Sequence, residues 1–112
     1  MARPTKFEIK DARSGSGVTV SIAGELDMAT AQTLSQHLDE HLSNGVTDLT
    51  LDLENMAFMD SSGLRLLIEL NDRSQQQAWR LSMKLPKHES AALVLRATGA
   101  DTALPFVGSV SG

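Results

Sequence analysis

Within Leu49–Leu70, LTLDLENMAFMDSSGLRLLIEL, the hydrophobic period changes once, and no other stretch narrows the possible folds so far. Leu49, Leu51 and Leu53 alternate with Thr50, Asp52 and Glu54, the period of a strand with one buried face. Leu64, Leu67 and Ile68 then recur at helical spacing, with Leu66 and Leu70 widening the apolar side. Asp60-Ser61-Ser62-Gly63 separates the two patterns. Asp and Ser suit a helix start because a side-chain oxygen accepts from the free N–H groups of the first turn. Such a start also favours a nearby anion. A strand that feeds directly into a helix is the basic unit of an α/β layer.

Around this unit the same two periods alternate. Phe7 and Ile9 alternate with Lys6, Glu8 and Lys10, and Val18, Val20 and Ile22 with Thr19 and Ser21; Ser14-Gly15-Ser16-Gly17 between them predicts a hairpin. Gly24-Glu25-Leu26-Asp27 stops the second strand. From Thr30, the stripe Ala31, Leu34, Leu38, Leu42 predicts a helix ending at Asn44-Gly45. Val46–Leu53 is the third strand, and a helix follows from about Ser62 to Gln76. Arg80–Leu85 reads as a fourth strand ended by Pro86, and His88–Thr98 as a third helix stopped by Gly99. Leu104-Pro105-Phe106-Val107 reads as a short edge strand, where proline is tolerated. The order β-β-α-β-α-β-α-β implies an α/β fold: an N-terminal β-hairpin, then alternating helices and strands in a mixed, mostly parallel sheet flanked by helices. Residues 1–5 and 108–112 read as flexible tails around a single domain spanning 6–107.

Composition excludes several functions. A net charge of -4 without a basic cluster argues against a protein that grips nucleic-acid phosphates. With no cysteine there is neither a disulfide framework nor a thiolate metal site. The N-terminus lacks a signal-peptide core, and no apolar run approaches a membrane span, which predicts a cytoplasmic location without membrane insertion. The lack of an exposed apolar stripe favours a monomer when free.

The chemistry-bearing residues are few. Ser61 and Ser62 lie at a strand-to-helix turn, as a hydrolase nucleophile does, but the surrounding residues are not G-x-S-x-G and the chain is too short for that fold. Gly15-Ser16-Gly17 joins strands and does not open a helix, so it is a turn and no phosphate loop. His37 and His41 stand four apart, a metal-ligand spacing, but polar neighbours Asp39 and Glu40 place both in solvent, and no third ligand is obvious. The expectation is therefore no metal, no cofactor and no catalytic residue. What remains is Asp27 after the second strand and Asp60, Ser61, Ser62 and Gly63 after the third. In a parallel βα arrangement functional groups gather beyond the carboxyl ends of the strands. These residues alone are equally consistent with two ordinary capped helix starts.

Leu51–Leu64, LDLENMAFMDSSGL, together with Gly24-Glu25-Leu26-Asp27, closely resembles the STAS domain family, and within it the bacterial anti-sigma factor antagonists. The resemblance extends over nearly the whole chain, to the helix ending at Gly99 and the following Leu-Pro. It implies a phosphorylation switch. The partner would be an anti-sigma factor with serine kinase activity, which phosphorylates the serine after the aspartate, here Ser61. The unphosphorylated form binds that partner and releases the sigma factor, and a PP2C-type phosphatase restores the serine. In this scheme Asp60 orients the Ser61 hydroxyl, Gly63 lets a partner backbone approach, and Asp27, Ser62 and nearby Glu25 shape an acidic contact surface. Ser62 is a second candidate phosphate acceptor. The chain departs from many relatives in having no glycine in Gln75-Gln76-Gln77-Ala78-Trp79, so the second helix runs longer or its turn is built differently; its third helix is also rich in alanine. The same fold also serves a STAS subunit of a lipid-transport ABC complex or a stress-signalling scaffold.

Overall fold

The computed structural model describes residues 7–107; the expected tails at 1–5 and 108–112 lie outside them. Strands β1 (Glu8–Ser14) and β2 (Gly17–Leu26) form the antiparallel hairpin. Helix α1 (Met28–Ser43), strand β3 (Asp48–Met59), helix α2 (Ser61–Gln77) and strand β4 (Arg80–Lys84) follow, then α3 (Glu89–Thr98) and a four-residue α4 (Ala100–Ala103). The sheet order is β1-β2-β3-β4, with β2–β3 and β3–β4 parallel. The mixed, mostly parallel sheet after a hairpin is as the sequence predicts.

One face of the sheet makes the core. Val18, Val20, Ile22 and Leu26 of β2, Leu49, Leu51 and Leu53 of β3, and Met83 of β4 are buried there. Helix α1 contributes Ala31, Leu34 and Leu38, and α2 contributes Leu66, Leu67 and Leu70. The Arg73 guanidinium donates to Asp39 at 2.8 Å, tying α2 to α1. The opposite face presents Thr19, Thr50 and Ser82 in one half-buried row.

Both long strands outrun the alternation that announced them. Between Ser21 and Ala23 of β2 the register advances from Asp52 to Asn55 on β3, and between Gly24 and Glu25 it advances from Met56 to Phe58. Each step inserts one extra residue in β3, a β-bulge that reverses which side chains face inward. The buried set accordingly passes from Leu53 to Met56 and then Met59. Helix α3 meets the bulged half, where Ser90 Oγ donates to the Ala57 carbonyl at 2.7 Å.

Two details depart from expectation. Leu104–Val107 makes only a bridge, Met83 with Phe106, preceded by the unforeseen α4. Pro105 supplies only its carbonyl, to the Met83 N–H at 3.0 Å, as a residue without an N–H must. Helix α2 spans one residue more at each end than the expected Ser62–Gln76, and Ala78 ends it in the left-handed region at φ 62°, where a glycine usually stands.

Candidate functional site

β2 and β3 end in register at Leu26 and Met59, so Asp27 and Asp60 emerge side by side, and the Asp60 N–H donates to the Leu26 carbonyl at 3.1 Å. The two segments singled out in the sequence thus meet beyond the carboxyl ends of parallel strands.

The start of α1 is a closed capping box. Asp27 Oδ1 accepts from the Thr30 N–H at 3.0 Å, and Thr30 Oγ1 accepts from the Asp27 N–H at 2.8 Å. Hydrogen bonds from the Thr30 backbone and hydroxyl hold the Asp27 carboxyl below its ordinary pKa. Asp27 therefore has a structural duty as N-cap besides its place on this surface.

The start of α2 is built differently. Asp60 Oδ1 accepts from the N–H groups of Ser62 at 2.8 Å and Gly63 at 3.2 Å. Among the described residues no hydrogen bond engages the Ser61 hydroxyl, so the expected orienting contact from Asp60 is absent. The Asp60 carboxylate faces the backbone of the first turn, which is where an N-cap side chain is held. Gly63 also differs from expectation. It is buried, and a Cβ there would lie 2.7 Å from Met59 Cγ and 2.9 Å from Leu26 Cγ. Its missing side chain serves the packing of α2 on the strand ends and is not available to a partner backbone.

Ser61 is exposed and Ser62 half-buried. Ser61 lines a shallow cavity of about 420 Å³ with Leu64, Arg65, Ile68 and Glu69. A smaller one is lined by Ser61, Ser62 and Arg65. Arg65, one helical turn after Ser61, is a cation that the sequence reading passed over; its i, i+4 spacing was the available signal. Ile68 is 43% exposed, and Met28, next to Asp27, is 73% exposed. These are single exposed apolar side chains on the two helices that start here.

The histidines are not simply solvated. His37 and His41 both turn onto Asp11 of β1, each Nε2 lying 2.9 Å from its carboxylate. Burial pushes the Asp11 carboxyl pKa up, but the hydrogen bonds and charges of the two imidazoles outweigh it, and the net direction is down. Asp11 shares a face with Ile9 and pairs with Val20, so period 2 had already pointed it toward α1. Among the described residues no helix is long and apolar enough to cross a membrane.

A family model described as Mlab, STAS domain matches residues 9–107. The anti-sigma-F factor antagonist RsfB of Mycobacterium tuberculosis is 29% identical over 76 residues, 68% of this chain and 62% of that protein. The chain thus spans less than two thirds of that relative's length. The crystal structure of an anti-sigma factor antagonist from Mycobacterium paratuberculosis superposes with a TM-score of 0.78 at 21% identity, covering 94% of this chain and 88% of that one. The anti-sigma factor antagonist SpoIIAA is similar in its unphosphorylated form, with a TM-score of 0.71 at 20% identity over 93% of this chain and 90% of that one. The phosphorylated form of SpoIIAA, from Bacillus, gives 0.67 at 20% identity over 93% of each chain. At these identities the solved structures speak for the fold.

Proposed function

The chain belongs to the STAS domain family, and from that premise we propose that it is an anti-sigma factor antagonist whose binding is switched by a phosphate on Ser61. The observation that supports this most directly is the contrast at the head of α2: a capped, packed helix start that leaves one exposed hydroxyl unengaged. A kinase can reach that oxygen without opening the fold. The partner would be an anti-sigma factor with serine kinase activity. Ser61 Oγ would bond to the γ-phosphorus of ATP as the bond to ADP breaks and the hydroxyl proton leaves to a base on the kinase. A PP2C-type phosphatase would reverse the change by hydrolysis.

The physics of the site supports a switch without refolding. Phosphorylation adds about -1.5 to -2 charge. The N-terminus of α2 and Arg65 can accommodate it within the chain. A docked partner meets that charge on a surface already carrying Asp60, Asp27 and Glu25, and burying it without matching cations is costly. Asp27, Asp60, Ser61 and Ser62 would frame the contact, with exposed Met28 and Ile68 supplying its apolar part. Gly63 acts beneath this surface. The protein works here as a cytoplasmic binding module and not as an enzyme.

The deciding experiment is titration calorimetry of the candidate anti-sigma kinase against wild type, Ser61→Ala, Ser62→Ala and kinase-phosphorylated protein. Tight binding by the unmodified forms and a loss of more than about 1.4 kcal/mol, tenfold, on phosphorylation is expected. Equal affinity for all forms moves a second reading ahead: a STAS subunit of a lipid-transport ABC complex or a stress-signalling scaffold. That reading draws on the family model, whose description names Mlab.

A further inference from the structure

We propose that Asp11, His37 and His41 form a binding site for a divalent transition cation of the zinc type, pinning edge strand β1 to helix α1. The site is independent of the Ser61 surface. His37 lies ten residues along α1 from Asp27, roughly 15 Å at 1.5 Å per residue.

Three features of the cluster favour a metal. The donor set is two imidazole nitrogens and one carboxylate, the borderline N/O set that zinc accepts. The three ligand atoms lie within 4.8 Å of one another, and each imidazole Nε2 sits 2.9 Å from a carboxylate oxygen. Bonds of 2.0–2.1 Å in a tetrahedron place neighbouring ligand atoms about 3.3 Å apart, so a small widening admits the ion. The rings stand edge to face at 79° with centroids 5.1 Å apart, converging on Asp11 instead of stacking on each other. The third feature is access. Side-chain exposure is 12% at His41 but 31% at His37 and 29% at Asp11. The cluster is thus supported from beneath and open on one side, where water completes the coordination. An ion of charge +2 would also replace the two imidazole protons that otherwise satisfy the single carboxylate.

The ligands come from two elements. Among the described residues β1 is an edge strand, with exposed Lys10 and Arg13, joined to the sheet through β2. A cross-link from its covered face to α1 would hold that edge against fraying and against pairing with another chain.

The test uses the full chain without a polyhistidine tag, stripped with a chelator. Zinc chloride is titrated by calorimetry, and cobalt(II) is added to read the visible absorption of a tetrahedral site. One equivalent is expected to bind saturably and to raise the thermal midpoint, with magnesium giving neither effect. His41→Ala and Asp11→Asn are each expected to weaken zinc at least tenfold, while His88→Ala leaves it unchanged. Should either variant unfold, the imidazole nitrogen resonances of the wild type decide: those of His37 and His41 must move together on zinc addition and those of His88 must not. Failure to saturate below about 1 mM zinc overturns the site. So does undiminished affinity in both folded variants, or an equal response at His88; the cluster is then a hydrogen-bonded one, held by protons alone. These readouts are blind to the anti-sigma partner, so this inference and the proposed switch fail separately.

Discussion

Helices α1 and α2 begin next to each other, each after a buried strand residue and each with an aspartate as N-cap, yet they are finished in opposite ways. In α1 the third helical residue is Thr30, whose hydroxyl returns to the Asp27 N–H and closes the box. In α2 the third helical residue is Gly63, which has nothing to return. The Asp60 N–H is satisfied instead by the Leu26 carbonyl of the neighbouring strand. A side chain at Gly63 would collide with Leu26 and Met59, so the tight seat of α2 and the missing return bond from its third residue have one cause. The first start is locked by two side chains that answer each other. The second is locked by one, the Asp60 carboxylate, together with a backbone bond to the neighbouring strand and the packing of Gly63, and the hydroxyl of Ser61 takes no part. A helix head that must accept a modification without unfolding is better held from below than from its own exposed groups.

The strongest way to break the contrast is Gly63→Ala. Its Cβ would fall within 2.9 Å of fully buried Leu26 and Met59 side chains, which have little room to yield. Overpacking of this kind costs about 1–3 kcal/mol, read as a lower midpoint in urea with unchanged slope. A neutral result would show that α2 can shift on the strand ends and that Gly63 is not what seats it.

Next comes Asp60→Ala, which strips the cap from two first-turn N–H groups and is expected to cost about 1 kcal/mol. Thr30→Val opens the α1 box while leaving its shape, for about 0.5–1.5 kcal/mol by the same denaturation. Because the two starts share no side-chain partner, the double variant should lose about the sum. A marked excess would mean that they are coupled through Leu26 and act as one unit.

How much of this was legible in the sequence depends on how far each signal reaches. The strand-to-helix change at Asp60 and the stripe of α1 are local periodicities, and they placed the elements correctly. The end of β3 was not readable, because each bulge reverses the inward phase and turns Met56, Phe58 and Met59 into apparent noise. The Asp60-Ser61-Ser62-Gly63 junction was visible as a motif. The duty of Gly63 was not, since it depends on Leu26, a residue of another strand. Asp11 was missed because the histidines were read as a pair at helical spacing, while their third neighbour lay 26 and 30 residues back on the first strand of the hairpin.

A smaller effect at the α1 start is read by pH. The folded pKa of Asp27 lies below its unfolded value of 3.8, so the box contributes stability that is complete above that pH and is lost as pH falls through the folded pKa. Asp27→Asn should flatten this part of the acid profile, measured as thermal midpoint against pH beside wild type. The Asp11 carboxyl is shifted in the same direction and remains in both proteins, so only the difference between the two curves reports on Asp27.

The smallest stability effect belongs to Ser61, the residue with the largest proposed consequence for binding. Its side chain is exposed and unengaged, so Ser61→Ala should change the unfolding free energy by no more than about 0.5 kcal/mol. Ser61→Asp should be neutral or stabilising by about 0.3–1 kcal/mol, since a negative charge at the first turn is favoured by the helix dipole. Both are read in urea, and the second at low and high salt, because that gain is screened. A loss above 1 kcal/mol in Ser61→Ala would place the hydroxyl inside the cap. The two helix starts would then be alike, and phosphorylation would have to unmake part of α2 to act. A silent alanine leaves the hydroxyl structurally idle, which is the condition for a charge there to change what binds without changing what is folded.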